Sequence, residues 1–231
     1  MPLNLQRKLH RASLTMSITS EVAMEKRFKV LMLNGSPREN GNISVAFREM
    51  KKIFDELNVE YEEVRLGKKN IRGCIACGSC GSTGKCVFND VVNEISDKFE
   101  KADGIVVGSP VYYGCANGTL VSALQRVFYS SHFDKRMKVG ASVVCARRSG
   151  CTATFDELNK FFTISNMAVA TSQYWNNIHG GAPGEADQDE EGKQTMRVLA
   201  RNMVFLMESI ALGKEKLGLP YQEEHLWTNF I

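Results

Sequence analysis

The stretch that decides the fold runs from residue 28 to residue 44 and reads FKVLMLNGSPRENGNIS. Its first part, from Phe28 to Leu33, is a short apolar run that ends at Asn34 and Gly35, which predicts a buried strand. From Asn42 onwards, apolar residues recur every three or four positions as far as Leu57, which predicts an amphipathic helix. The stretch therefore predicts a strand, a loop rich in small and polar residues, and a helix.

The same alternation continues along the chain. Apolar and charged residues alternate at 59–66, which predicts an edge strand, and apolar runs at 104–107, 139–146 and 167–170 predict buried strands. Helical periodicity separates these runs and returns in a last long helix around 196–210. Five strands that alternate with five helices predict an α/β fold, in which helices cover both faces of a parallel sheet. The common order of a five-stranded sheet of this kind is 2-1-3-4-5.

The composition excludes several classes of protein. Of the 231 residues, 43% are hydrophobic and 24% are charged, values typical of a globular chain. No run of about 20 apolar residues exists, so we expect no membrane helix. The net charge is 29 − 26 = +3 without a long basic run, so we expect no nucleic-acid partner.

The chain divides into three parts by pattern. We expect an N-terminal extension at 1–26, one α/β domain at 27–216 and an apolar C-terminal tail at 217–231. The tail is too apolar to remain in water, so it is expected to pack on its own domain or on a partner subunit.

The first loop has the chemistry of a phosphate site. An open doubly wound sheet binds its ligand at the carboxyl ends of its strands, where the strand order reverses. This loop leads into a helix N-terminus, which favours an anion. Ser36, Asn42 and Ser44 offer short donors, and Arg38 offers a charged fork. The loop has neither a lysine after its glycines nor a G-x-G-x-x-G pattern, which disfavours a nucleoside triphosphate and a dinucleotide.

The second loop has the chemistry of a site for a flat ring. Pro110 stiffens it, Tyr112 and Tyr113 offer aromatic faces, and Gly114 lets the backbone approach a ligand. The alternative is that the two tyrosines pack on the sheet. The third distinctive loop, 146–150, follows the next buried strand and carries two arginines and a glycine.

The two motifs GSPRENGN at 35–42 and SPVY at 109–112 resemble those of the flavodoxin-fold NAD(P)H-dependent FMN reductases, over about residues 27–215. The resemblance implies a flavodoxin-like three-layer fold that binds FMN. It places the FMN phosphate on the first loop and the isoalloxazine ring against the second and third loops. The residues it assigns to the cofactor are Ser36, Arg38, Asn42, Ile43, Ser44, Pro110, Val111, Tyr112, Tyr113, Gly114, Arg147 and Gly150. It also implies a homodimer or a homotetramer.

Four of the seven cysteines form a cluster in the sequence, namely Cys74, Cys77, Cys80 and Cys86. The spacing C-x2-C-x2-C-x5-C suits a [4Fe–4S] cluster, and it resembles the iron–sulfur flavoproteins of the same superfamily. Free thiols, a redox disulfide and a zinc site remain alternatives. An odd cysteine total and a tight cluster favour a reducing cytoplasm over a secreted disulfide framework. Of the other three cysteines, Cys115 directly follows Gly114 and is the candidate for a thiol near the ring.

The aromatic stretch at 172–181 allows two interpretations. One of Tyr174, Trp175, Asn176 and His179 closes over the flavin, or the stretch forms a contact between subunits.

The motifs and the resemblance together predict an FMN-dependent oxidoreductase that passes hydride from NAD(P)H to FMN and electrons to a small-molecule or protein acceptor. The alternatives are an electron-transfer flavoprotein without a nicotinamide site and a metal-binding interaction module.

Overall fold

A parallel sheet forms the centre of the molecule, which is described from residue 28 to residue 229 by a computed structural model. Its five sheet positions are ordered β2-β1-β3-β5-β6, which confirms the predicted order 2-1-3-4-5. Two short strands, β4 and β7, complete the sheet. In chain order the strands are β1 Lys29–Asn34, β2 Glu60–Arg65, β3 Gly104–Tyr112, β4 Cys115–Ala116, β5 Val139–Ala146, β6 Ala168–Val169 and β7 Asn177–His179. The predicted extension at 1–26 lies outside the described residues.

Helices cover both faces of the sheet. The helices are α1 Asn42–Glu56, the single turn α2 Cys80–Thr83, α3 Val91–Glu100, α4 Gly118–Ser130, α5 Cys151–Thr163 and α6 Glu190–Leu217, with a 3₁₀-helix at Glu185–Gln188. Apolar residues of α1 and α6 pack in one core cluster, and those of α3, α4 and α5 pack in another. The fold is therefore a three-layer α/β sandwich.

The strand β1 shows why both layers are needed. Val30 and Met32 belong to the core cluster under α1 and α6, whereas Leu31 and Leu33 belong to the opposite cluster. Successive side chains of a strand point to opposite faces, so this apolar run can be buried only with helices on both sides.

The strand β3 is longer than the sequence predicts. The prediction ended it at 107, but it continues to Tyr112 because Ser109 and Pro110 still pair with β5. The chain then reverses through Tyr113 (φ 51°) and Gly114 (φ 79°) and pairs back as the antiparallel strand β4. Positive φ at both central residues is what a tight two-residue hairpin requires. The second loop is therefore a strand end followed by a hairpin.

The last sheet position is divided between two strands. The short strand β6 pairs only with the first two residues of β5, and β7 pairs with the end of β5 from Val144 to Ala146. The prediction of a single strand at 167–170 therefore covers half of this position. No strand was predicted after 170, but 177–179 form β7 because the end of β5 offers free backbone groups.

The described part of the C-terminal tail is mostly exposed, although Leu219 is half-buried beside Phe28 and Lys138. Beyond α6, Tyr221, Leu226 and Trp227 are 85–89% exposed. Contact with a partner subunit stays a prediction. No helix within residues 28–229 combines the length and the apolarity needed to cross a lipid bilayer.

Candidate functional site

The carboxyl ends of β1, β3 and β5 meet at a cleft of about 180 Å³. Its lining combines three predicted loops with one further segment. The lining residues are Ser36, Arg38, Asn42, Ile43, Pro110, Val111, Tyr112, Cys145, Ala146, Arg147, Gly180 and Gly181. Eight of the twelve predicted cofactor residues are therefore brought together. A larger cavity of about 610 Å³ lies at the opposite end of the sheet, near Phe28 and Lys138, and none of the predicted residues lines it.

A buried asparagine at the end of β1 holds the first loop by hydrogen bonds. The side chain of Asn34, at the end of β1, accepts a hydrogen bond from the Ser36 amide at 2.9 Å and donates to Glu63 at 2.8 Å. The hydroxyl of Ser36 in turn accepts a hydrogen bond from the Arg38 amide at 3.2 Å. These bonds hold the loop in a turn at the start of α1. This gives Ser36 and Arg38 fixed positions at the cleft.

Two long helices begin without a side-chain cap, α1 at the cleft and α5 shortly after the lining residue Arg147. The helix α1 follows Gly41 and α5 follows Gly150, and neither N-terminus receives a side-chain hydrogen bond. By contrast, Asp90, Asn117 and Asp189 cap α3, α4 and α6. An uncapped N-terminus leaves main-chain N–H groups available and carries a partial positive charge. The N-termini of α1 and α5 are therefore suited to bind an anion or the polar edge of a ring.

Sequence reasoning missed Gly180 and Gly181 as lining residues. They follow β7, whose pairing with β5 places them beside the first loop. Arg38 donates from Nη1 to the carbonyl oxygen of Gly181 at 3.1 Å. A Cβ at Gly180 would lie 2.7 Å from the Asn42 side chain, so only glycine fits there. The adjacent glycines were the available signal, but their partner strand could not be predicted.

Four predicted residues lie outside the cleft lining. The Ser44 hydroxyl donates to the Glu39 carbonyl oxygen at 2.7 Å and accepts from Arg65 at 3.2 Å. Tyr113 is fully exposed at the tip of the hairpin. Gly150 packs closely on the hairpin, since a Cβ there would lie 2.9 Å from Val111 and 3.2 Å from the Gly114 Cα.

The aromatic stretch before Gly180 does not reach the cleft within this chain. Tyr174 and Trp175 are each about half exposed, and their rings pack at 5.0 Å between centroids. Asn176 is buried, and its amide donates to the Ala170 carbonyl oxygen at 3.4 Å. His179 lies in β7, with its Nδ1 3.2 Å from the Ala146 carbonyl oxygen. The exposed pair is compatible with the predicted subunit contact.

The thiol that lines the cleft is Cys145, whereas Cys115, the candidate from the sequence, is not among the lining residues. Cys115 is exposed in β4, whereas Cys145 is buried at the end of β5. Burial raises the pKa of Cys145 to about 12. Its side chain is therefore a neutral thiol at physiological pH. Such a group is suited to line an apolar wall and is a poor nucleophile.

The cysteine loop, residues 74–86, follows β2 at the same edge of the sheet. Cys74 and Cys77 are exposed, Cys80 and Cys86 are half-buried, and all four are free thiols. Hydrogen bonds from Ser79 lower the pKa of Cys77, which favours a thiolate. The chemistry of these donors suits iron or zinc. Within residues 28–229, however, no three His, Cys, Asp or Glu side chains are arranged to hold a metal ion. The loop would therefore have to change conformation to bind one.

Comparison with known proteins gives a family for this arrangement. The family described as NADPH-dependent FMN reductase matches residues 28–181, which contain all predicted cofactor residues. The fold is shared with an NAD(P)H:quinone oxidoreductase from Methanothermobacter marburgensis, at a TM-score of 0.60 and 14% identity, over 76% of this chain and 96% of that one. At this identity the likeness shows the fold alone, and it agrees with the predicted flavodoxin-like architecture.

Two relatives cover nearly the whole domain. An iron-sulfur flavoprotein of Methanocaldococcus jannaschii is 34% identical over 190 residues, which are 79% of this chain and 98% of the relative. An iron-sulfur flavoprotein of Methanosarcina thermophila is 29% identical over 193 residues, which are 81% of this chain and all of the relative. With the matched segment and the cleft geometry, these likenesses show that the chain belongs to the NADPH-dependent FMN reductase family.

Proposed function

We propose that this protein binds FMN in the cleft and acts as an oxidoreductase that takes hydride from NAD(P)H and passes electrons to a small-molecule or protein acceptor. The observation that carries the proposal is the convergence of the first, second and third loops on one cleft at the point where the strand order reverses. Ligands of doubly wound sheets bind at this point. Membership of the FMN reductase family supports the choice of FMN.

The phosphate would be held at the start of α1. The uncapped N-terminus of this helix offers main-chain N–H groups, and Ser36 and Arg38 lie beside it. The guanidinium of Arg38 supplies a full positive charge that the partial charge of the helix cannot match. The Oδ1 of Asn42 accepts from the Ala186 amide at 3.1 Å, and its side-chain NH2 group is the donor that would face a phosphate.

The ring would lie against the end of β3. Pro110, Val111 and Tyr112 form one wall of the cleft, and Arg147 lies at the end of β5 opposite them. The uncapped start of α5 and the Arg147 side chain would supply positive charge to a ring that gains negative charge on reduction. FMN supplies the hydride and single-electron chemistry, and the chain supplies binding, orientation and charge.

The cysteine loop is proposed to hold a [4Fe–4S] cluster on Cys74, Cys77, Cys80 and Cys86. Their spacing and the likeness to proteins named iron-sulfur flavoproteins support this. A redox disulfide or free thiols are the alternatives. We further propose a cytoplasmic location, since the clustered free cysteines fit a reducing compartment. We also propose a homodimer or homotetramer, for which the exposed apolar side chains of the tail are the supporting observation.

An absorption spectrum of the full chain, purified without oxygen, tests the cofactor assignment because it reports flavin and cluster together. Anaerobic addition of NADPH or NADH should then bleach the flavin band, and a quinone or ferricyanide should restore it. A bound flavin that neither nucleotide reduces would favour an electron-transfer protein without a nicotinamide site. Colourless protein would favour a metal-binding module.

A further inference from the structure

A buried arginine of α4 reaches the cysteine loop. Arg126 is only 2% exposed, although its guanidinium carries a full charge. Asp90 compensates this charge through two hydrogen bonds, from Nη1 to Oδ2 at 2.7 Å and from Nη2 to Oδ1 at 2.9 Å. Since a buried arginine without a partner would be strongly destabilising, the pair is an organised structural element.

The remaining donors of Arg126 contact both ends of the cysteine loop. Nη1 also donates to the Arg72 carbonyl oxygen at 3.3 Å, just before the loop. Nε donates to the sulfur of Cys86 at 3.2 Å, the last residue of the loop. The face of the guanidinium packs on the Phe88 ring at 4.9 Å from its centroid. One side chain therefore joins the two ends of the loop.

Cys86 is held by side chains of two helices outside the loop, Asn93 of α3 and Arg126 of α4. Its amide donates to Asn93 Oδ1 at 2.8 Å, and its carbonyl oxygen accepts from Asn93 Nδ2 at 3.0 Å. With the Arg126 bond, its backbone and its sulfur are both fixed. Cys74, the first of the set, is exposed, and its sulfur accepts from the nearby Ala76 amide of the loop itself at 3.4 Å. Within residues 28–229, Cys86 is therefore the cysteine of the set whose sulfur is bonded by a side chain from outside the loop.

We propose that Arg126 is the positioning residue of the iron site. It holds the Cys86 sulfur as a preformed ligand, onto which the rest of the loop closes, and its N–H···S bond makes the cluster easier to reduce. Hydrogen bonds to cluster sulfurs favour the reduced, more negative state because they stabilise its added charge. This inference rests on the cluster proposed above.

The test uses full-length protein loaded with iron and sulfide under anaerobic conditions. The double variant Arg126→Met/Asp90→Asn removes the N–H···S bond without changing the net charge of the pair, and asparagine keeps an oxygen for the α3 cap. The matched control is Lys85→Gln, which removes an exposed cation next to Cys86 in sequence. Iron per chain, FMN per chain and the midpoint potentials of cluster and flavin are measured for each protein.

We expect a more negative cluster potential in the double variant, with FMN content and flavin potential unchanged. Lys85→Gln should leave the cluster potential near that of the wild type, because exposed charges are screened. Loss of iron with full FMN retention would support the positioning role. In that case the cluster potential would be measured on the variant Arg126→Lys, which keeps a charge beside Asp90.

Two outcomes contradict the inference in different ways. An iron-loaded double variant with an unchanged cluster potential would overturn the role of Arg126 and leave the cluster standing. Wild-type protein with full FMN and no iron would overturn the cluster and the role of Arg126 together, while the reductase proposal would stand.

Discussion

Arg38 Nη1 donates a hydrogen bond to the carbonyl oxygen of Gly181 at 3.1 Å, and so joins two loops that are 143 residues apart in the chain. The bond crosses the cleft between the end of β1 and the segment that follows β7. Arg38 is thus in place to hold a phosphate and also ties down the opposite wall. A change at this residue should act on cofactor binding through both contacts.

Replacement of Arg38 by alanine should weaken FMN retention by about 1.5–3 kcal/mol, the scale of a hydrogen bond to a charged group. This corresponds to roughly a 10- to 150-fold rise in the dissociation constant, measured by fluorescence titration of the apoprotein with FMN. Arg48→Ala is the matched control, since Arg48 lies on α1 but pairs with Asp187 outside the cleft. Equal flavin retention in the Arg38 variant and the parent would show that the phosphate lies elsewhere.

Replacement of Gly67 by alanine should displace the first loop. A Cβ at Gly67 would lie 2.2 Å from the Ser36 carbonyl carbon and 2.3 Å from the Pro37 nitrogen, which are backbone atoms that cannot move alone. We expect a loss of about 1–3 kcal/mol in unfolding free energy, with weaker FMN binding.

Gly73→Ala is the control for Gly67, because its nearest neighbours would be 3.9 Å away. Denaturant unfolding and FMN titration of both variants measure the two effects. If both alanine variants behave like the parent, the packing of Gly67 against the first loop is not what holds that loop.

The buried carboxylate of Glu49 should make stability depend on pH. Burial by itself would raise the pKa of Glu49, but hydrogen bonds and charges from Lys52 and Arg197 lower it below its usual value of 4.5. A lowered folded-state pKa means stability that is present above the unfolded pKa and is lost as pH falls through the folded pKa. Glu49→Gln should cost about 1.5–3 kcal/mol at neutral pH.

The difference between wild type and Glu49→Gln should stay constant above about pH 5 and shrink at lower pH. Urea unfolding at several pH values measures it. Glu56→Gln is the control, because Glu56 also pairs across to α6 but is 57% exposed, and such pairs contribute about 0–1 kcal/mol. A Glu49 difference that is independent of pH down to about 3 would contradict the role of its charge.

The substitution Cys80→Ser should abolish iron binding and leave FMN in place. Wild-type protein prepared without oxygen is expected to carry about four irons per chain, the content of one [4Fe–4S] centre. FMN should remain, because Cys80 does not line the cleft. Cys115→Ser, at an exposed thiol outside the loop, should keep both cofactors. Iron, sulfide and flavin are measured per chain in each protein. Loss of flavin in Cys80→Ser would contradict the separation of the two sites.

The exposed tail should take part in subunit contact. Leu226 and Trp227 are 85% and 89% exposed, which is unfavourable for side chains of this size in water. Sedimentation should give a mass of two or four chains, and Leu226→Asp/Trp227→Asp should lower it. A monomer of about 25.8 kDa for the wild type would remove the oligomer proposal.

The sequence alone was enough to predict the parallel sheet, its strand order and most of the cleft. Apolar runs such as Val30 to Leu33 can be buried only between two helical layers, so the alternation of strands and helices leaves few architectures. Loops that follow buried parallel strands must meet at one edge of the sheet. For this reason the positions of Ser36, Arg38, Pro110 and Arg147 along the chain were sufficient to place them at one site.

Only the tertiary structure decided the parts that depend on distant partners. The strand β7, and with it Gly180 and Gly181, forms because the end of β5 has free backbone groups that a later segment can pair with. No local pattern marks that pairing. The same holds for Arg126, which looks in sequence like an ordinary charged residue of a helix. It is buried because Asp90, Phe88 and Cys86, nearly forty residues earlier, fold over it.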